Sequence, residues 1–565
     1  MAEQPLNYVD YDFDTLLTQL RNRLALQGAW KDMYRSATGS MLIELFAAVG
    51  TLVLYYVERR AEESYIATAQ NKSSLINLAR LINYTPRRNA SSAGTLRFSL
   101  ATPATSMVFI NSLISDNPVM CVTSGNVNFL ASSDGVILPG QSFVDVPGIQ
   151  GSIVVVTNTS TGSLNQEYNV KDTTVENSHV YVYVNDVLWT NVSSFIDSTN
   201  VSENYVIRPE LDDTITILFG DNVFGKSPGV GNVITIKYVQ SIGLTGNVYA
   251  LGLINSVTSP VYNALSELQT VSVSNITNFL GGDDAETAED IRSNAPQVFA
   301  TGDRLVTKSD FIAVINAFPS VADSNVWGEN EESPPNYVMF NQVKIVTILQ
   351  NWILPDAAFE ASLADYLYEK SLMTVRYSFV DPTILYIVPT LYIKITAGSS
   401  ISYVQSQIEA AISNQFTLGT TTKLGVSKRQ SDIIAAIEAI PGVSYNHVIL
   451  KISQELLSTY ASPYNWANTL DAVPLLRWGV EIYIDDVQTG IDDGAGGIIS
   501  TRSGYVVSGL VDYTTGFIGV NISPAPSLSS TVYARYQQDQ NGDIVVTKNQ
   551  VCKLFMNVYT TISYE

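Results

Sequence analysis

The chain has 565 residues, with 31 Lys+Arg against 53 Asp+Glu and a formal net charge of −22. That balance argues against unassisted binding to a phosphate backbone, so no nucleic-acid partner is expected, and it favours solubility and basic protein partners. Two cysteines far apart, Cys121 and Cys552, and two histidines, His179 and His447, provide no disulfide framework, no zinc spacing and little material for a histidine-based site; no cofactor or metal is expected.

The length suits three or four domains. The opening Met1-Ala-Glu-Gln-Pro lacks the basic start and apolar core of a signal peptide, so synthesis in a cytoplasm is the expectation. Residues 13–26 carry apolar side chains at 13, 16, 17, 20 and 24, one face of a helix that ends at Gly28. Thr38-Gly39-Ser40 can cap a second helix with the apolar stripe Leu42, Leu45, Phe46, Val49, Leu52, Val53 and Tyr56. Run to about residue 70, this helix would be roughly 45 Å long. Its apolar part, 41–57, is broken by Glu44 and carries Tyr55 and Tyr56; it reads as too short and too polar for a membrane span, and no membrane partner is expected. A short third helix, 73–81, precedes Thr85-Pro86. A long helix cannot bury a wide stripe alone, so residues 1–90 read as a bundle-forming region with Leu42, Leu45, Phe46, Val49, Leu52 and Tyr56 at its interface. The plainer alternative is a helical subdomain packed on the rest of the chain.

Residues 91–270 alternate turn-forming residues with short β-branched runs, such as 96–100, 136–138, 153–156, 180–184 and 205–207, the pattern of a β-rich, sandwich-like domain. Uncharged runs such as 153–156 would be exposed-edge hazards unless paired. Within this region Gly220, Gly225, Lys226 and Ser227 fit the G-x-x-x-x-G-K-[ST] phosphate-loop pattern. A true phosphate loop opens a helix at that point. Here Pro228-Gly229-Val230-Gly231-Asn232 and a β-branched run follow, so the loop reads as a hairpin between strands 214–219 and 233–238.

Residues 271–450 read as duplicated split-βαβ modules. Gly281-Gly282-Asp283-Asp284 precedes a capped helix start; the two aspartates read as turn and cap residues rather than metal ligands. The segment Ser309-Asp-Phe-Ile-Ala-Val-Ile-Asn-Ala-Phe-Pro-Ser-Val321 aligns without gaps on Ser431-Asp-Ile-Ile-Ala-Ala-Ile-Glu-Ala-Ile-Pro-Gly-Val443. Each copy reads as a Ser-capped helix whose proline forces exit towards a strand. Between them lie strand 343–349, helix 355–370, a strand pair within 384–395 and helix 404–416. Coincidence of two amphipathic helices is the alternative to duplication. Residues 451–565 read as a β-rich C-terminal domain with strands 480–484, 504–507, 516–520, 532–536 and 544–546. Its acidic, Gly-rich stretch 485–497 reads as a flexible hairpin tip rather than a calcium loop, because it lacks ordered ligand spacing. The overall class is α+β multidomain.

Several motifs carry a family resemblance. Phe219-Gly220-Asp221, Phe224-Gly225-Lys226, a Pro-Gly turn, then Gly243-x-x-Gly246-Asn247-Val248 resemble the signature of the baseplate J family, wedge proteins of contractile-tail phage baseplates and related injection machines. The resemblance implies that Gly220, Asp221, Phe224, Gly225, Gly231, Gly246 and Asn247 form a structural signature turn. Met-Leu-Ile-Glu-Leu-Phe-Ala-Ala-Val-Gly at 41–50, Tyr-Tyr-x-Glu-Arg-Arg-Ala-Glu-Glu-Ser at 55–64, and Arg304-Leu-Val-Thr-x-x-Asp-Phe311 extend it, and Asp512-Tyr513-Thr514-Thr515-Gly516 continues it more weakly. It implies a non-enzymatic virion subunit, assembled in the host cytoplasm, that dimerises within each wedge and joins a six-fold inner ring whose opening triggers sheath contraction. Implied partners are a helical wedge protein, a sheath-initiator-like protein and a LysM-like clamp protein. The competing readings are a tail-associated carbohydrate hydrolase using paired carboxylates, which sequence spacing cannot reveal, and a receptor-binding fibre, which would need a repetitive β shaft that the sequence lacks.

Overall fold

The computed structural model describes residues 12–26, 38–82, 84–302, 304–332, 338, 340–456, 464–527, 530–555 and 559–564. It is an α+β multidomain protein, with helices at the N-terminus followed by several β-sheets. The chain divides into two compact units at 304/305. The reason lies in strand partners. Val271–Asn275 pairs antiparallel with Ala93–Leu100, which ties it to the preceding β region. Val443–Glu455 spans residue 450 as one strand.

The first unit begins with α1 (Phe13–Ala25), α2 (Thr38–Glu62) and α3 (Lys72–Leu81). Asp12 caps α1 by accepting from the Thr15 N–H at 2.7 Å. Thr38, Gly39 and Ser40, expected to cap α2, already lie inside the helix. α2 stops at Glu62 rather than near residue 70, because the Glu63 carboxylate accepts the backbone N–H groups of Gln70 and Asn71 and turns the chain into α3.

The β region holds more than one core. A six-stranded sheet runs in the order Ile254–Val257, Met120–Thr123, Asn128–Ala131, Phe143–Gln150, Ala93–Leu100 and Val271–Asn275, with its own core around Phe98, Phe129 and Phe279. Inserted between its strands, residues 152–240 form a sandwich of two four-stranded sheets. One contains Ser152–Thr159, Val175–Val184 and Val233–Gln240; the other contains Glu167–Val170, Asn204–Pro209 and Ile215–Phe219. The period-two sets Val180/Val182/Val184, Ile234/Ile236/Tyr238 and Ile215/Ile217/Phe219 meet in its core. The Tyr205 hydroxyl donates to the Val180 carbonyl at 2.6 Å, one sheet to the other.

Ile215–Phe219 and Val233–Gln240 therefore lie in different sheets, and the loop between them is a crossover rather than the expected hairpin. Each strand satisfies its ladder with other partners: the first with Asn204–Pro209 and Glu167–Val170, the second with Ser152–Thr159 and Val175–Val184. No helix follows Ser227. The helix α4 (Ala288–Thr301) is capped by Thr287 through a reciprocal box with Asp290, so the cap is not Asp283 or Asp284. Asp283 pairs with Arg87 at 2.9 Å, and Asp284 accepts the Leu244 N–H.

In the second unit, α5 (Lys308–Asn316) and α6 (Ala357–Tyr368) accompany a three-stranded sheet, Val321–Gly328, Gln342–Leu349 and Arg376–Phe379. The last two strands are adjacent and parallel, with no strand between them, so this is not a split βαβ unit. α7 (Ile401–Gln415) and α8 (Gln430–Glu438) pack on an eleven-stranded sheet that joins Thr383–Ile395 and Val443–Glu455 to the C-terminal strands in one core. Residues 383–395 form one continuous strand rather than a pair. The aligned helix-proline-strand segments share one backbone feature. The residue after each proline, Ser320 at φ 65° and Gly442 at φ 98°, is left-handed and starts the strand. Their caps differ from expectation. Thr307, not Ser309, caps α5 with Asp310 in a box. α8 has no side-chain cap from Ser431 or Arg429; Asp543 accepts the Gln430 N–H instead. The stretch 485–497 is two hairpin turns separated by the strand Val487–Asp492, and 544–546 carries a single bridge from Ile544 to Lys428 rather than a strand.

Candidate assembly interface

The helical pair α1–α2 is where an apolar surface stands unaccounted for. At about 100° per residue, positions 40, 43, 47, 50 and 54 share one face of α2. Ile43 and Ala47 are buried there with Leu17, and Leu20 and Leu24 of α1 pack against them. Gly50 lets α1 approach closely: a Cβ would stand 2.6 Å from the Leu16 side chain. Arg21 and Glu44 close the contact with a 3.0 Å ion pair. This inner face is the one the sequence reading missed; its signal was the small residues Ala47 and Gly50.

The stripe Leu42, Leu45, Phe46, Val49, Leu52, Val53 and Tyr56 lies on the opposite side, about 120° wide on the same wheel. All seven are between 50% and 67% exposed, so the described residues do not bury them. α2 is thus apolar on two faces and packs one of them. Contrary to the expectation from 41–57, residues Gly39–Glu62 form a helix long and apolar enough to cross a membrane by length and composition.

The seven signature residues do not form one site. Gly220 and Gly225 touch: a Cβ on Gly220 would stand 2.2 Å from the Gly225 carbonyl oxygen. Asp221 accepts the N–H groups of Val223 and Phe224, and these bonds hold its carboxyl below the usual range. Gly225 at φ 83° and Gly231 at φ 79° occupy left-handed positions that favour glycine. Phe224 is exposed. Lys226 pairs with Glu203 at 2.7 Å, and Ser227 donates to the Ser163 carbonyl, so both residues of the phosphate-loop pattern serve the crossover itself. Gly246 and Asn247 lie elsewhere, at the joint with residues 282–284. The Asn247 side chain exchanges hydrogen bonds with the Gly282 backbone in both directions, at 2.9 Å each.

Among the described residues, no three His, Cys, Asp or Glu side chains gather as a metal site. The carboxylates of 485–497 are engaged by hydrogen bonds from their own turns and from other strands. Asp493 accepts from Ala495 and Gly497, and Asp485 accepts from Thr531.

Residues 12–81, the span of α1 to α3, match the family model described as bacteriophage baseplate protein, N-terminal domain. A chain of the solved structure entitled "Cryo-EM structure of the anti-feeding prophage (AFP) baseplate, 6-fold symmetrised" is similar at 12% identity over 77% of this chain and 85% of that one. The TM-score of that match is 0.29. A search by sequence among curated proteins gives no match. The exposed stripe of α2 therefore lies within a segment similar to a phage baseplate N-terminal domain.

Proposed function

We propose that the chain is a wedge subunit of a contractile-tail baseplate, with a mechanical rather than catalytic role. Two copies would pair within each wedge, and six wedges would close an inner ring whose opening is relayed to the sheath. The observation that carries this reading is the seven-residue apolar stripe of α2, half or more exposed, within the segment that matches a baseplate domain. Such a stripe gains most by entering a helical bundle, because one face of α2 is already held by α1 and the other stays exposed among the described residues. The occupant in this reading is a second copy together with a helical wedge protein. A sheath-initiator-like and a LysM-like clamp protein complete the wedge, and neither nucleic acid nor a membrane has a part. Packed interfaces with two discrete arrangements can transmit ring opening without bond chemistry.

The test is the mass of the purified chain, alone and co-expressed with the other tail proteins encoded beside it. The expected result is a dimer that joins a wedge of fixed stoichiometry. A stable monomer indifferent to every one of those proteins would overturn the proposal.

A further inference from the structure

In the second unit, three turns converge around one buried carboxylate. Asp492 is fully buried. Its Oδ2 accepts the Trp478 backbone N–H at 2.7 Å, and its Oδ1 accepts the Gly494 N–H at 2.7 Å and the Tyr513 hydroxyl. Tyr513 in turn accepts the Gly496 N–H at 3.0 Å. One side chain thus locks the bulge in Leu475–Ile484, the turn at 493–497 and the turn at 512–516 together.

What this clamp holds is unusual. Trp478 has φ 64°, a left-handed conformation that a bulky residue rarely adopts. Its side chain is not rewarded by burial, for it is 64% exposed. The indole rests on Gly494, where a Cβ would stand 2.2 Å from the ring. Beside it, the exposed Arg477 guanidinium sits 5.5 Å from the Tyr513 ring centroid. Internal packing does not explain a strained tryptophan aimed at solvent; presentation of a rigid ring does. Trp, Arg and Tyr are also the residues that dominate binding energy at protein interfaces.

The rim indicates the partner's charge. Asp493 adjoins Gly494, on which the indole rests, and Asp512 adjoins Tyr513. Asp512 is held below the usual carboxylate range by the Thr515 side chain and the Thr514 N–H, and Asp493 by the Gly497 and Ala495 N–H groups. A second copy would bring the same carboxylates and another −22 of net charge. We propose that Trp478, with Arg477 and Tyr513, is a preformed anchor for a basic protein of the baseplate, whose apolar pocket takes the indole while its lysines or arginines meet Asp493 and Asp512. This rests on the baseplate location alone and not on the bundle role of α2.

Oxidative footprinting of assembled baseplates against the full free chain tests it. Trp478 oxidation is expected to fall about fivefold or more on assembly. Carbodiimide cross-linking is expected to join Asp493 or Asp512 to a lysine of another protein. Trp478→Gly relieves the left-handed strain, so it is expected to keep the thermal midpoint while weakening incorporation into baseplates about tenfold. Unchanged oxidation, cross-links only to a second copy, protection caused by added cell-surface polysaccharide instead of assembly, or full incorporation of Trp478→Gly would each overturn the proposal. Footprints of Phe46 and Tyr56, read in the same experiment, report separately on α2.

Discussion

The apolar stripe of α2 makes a quantitative prediction about assembly. Fully burying a Leu or Val side chain contributes about 1.5–3 kcal/mol. Leu45, Val49 and Leu52 are 59%, 51% and 54% exposed, so roughly half of that remains to be gained, about 1 kcal/mol each. The triple substitution Leu45→Ala, Val49→Ala, Leu52→Ala should therefore cost about 3 kcal/mol of association, or about two orders of magnitude in affinity if the sites are independent. Leu45→Asp adds the desolvation of a carboxylate and should block co-purification with wedge partners outright. Neither change should unfold the chain, because substitutions at such exposed positions usually move stability by only about 0.5 kcal/mol. Ile43→Asp is the contrasting control. Ile43 is 5% exposed against α1, so that change should separate the helices and lower helical circular dichroism. The assay is sedimentation velocity of the co-expressed wedge over a concentration series, with thermal melts of each variant. Affinity of the triple variant within twofold of the parent, or co-purification of Leu45→Asp with its partners, would refute the reasoning.

Lys226→Ala should leave folding and assembly intact, since a 2.7 Å ion pair to Glu203 at 45% and 40% exposure contributes less than about 1 kcal/mol; a severe assembly defect with loss of ATP binding in a filter assay would contradict it. Gly220→Ala, by contrast, places a methyl against the Gly225 carbonyl and should cost several kcal/mol in a denaturant titration, about the scale of overpacking a tight site. Burial pushes the Asp323 carboxyl up to about 6 from 3.8 even though it accepts the Leu424 N–H at 2.6 Å. A raised carboxyl pKa stabilises the fold fully below the unfolded value, and that contribution is lost as pH rises through about 6. Asp323→Asn, which keeps an acceptor, should therefore raise the melting temperature at pH 7.5 and lose that advantage by pH 4; an equal effect at both pH values would contradict the assignment. Cys121 and Cys552 are buried, and burial pushes both thiols up to about 12, so neither should react quickly with a thiol reagent until the chain is denatured.

How much of this was legible in the sequence depends on range. Helical periodicity located α1 to α3 and the stripe of α2, because i, i+3 and i+4 spacing is a local property. Short β-branched runs located 180–184, the second half of Val175–Val184, and 214–219, which holds Ile215–Phe219, for the same reason. The helix-proline-strand segments ending at Val321 and Val443 were visible in the same way, since proline restricts its own neighbour. The absence of a helix after Ser227 was also readable, from Pro228, Gly229 and Gly231. Strand partners were not. Nothing in residues 214–238 says that the two runs enter different sheets, because each ladder is completed by strands distant in sequence. The cap of α8 comes from Asp543, far along the chain, and no local motif announces it.

The sequence alone thus determined the fold class, the short elements and the apolar stripe, all consequences of side-chain spacing within a few residues. The tertiary structure decided which face of α2 is already taken, where the compact units divide, that the signature residues split between a crossover and a joint, and that Asp492 holds an exposed Trp478 in a left-handed bend. Each of these depends on backbone and side-chain groups brought together from separate turns and strands, and only the folded chain sets those distances.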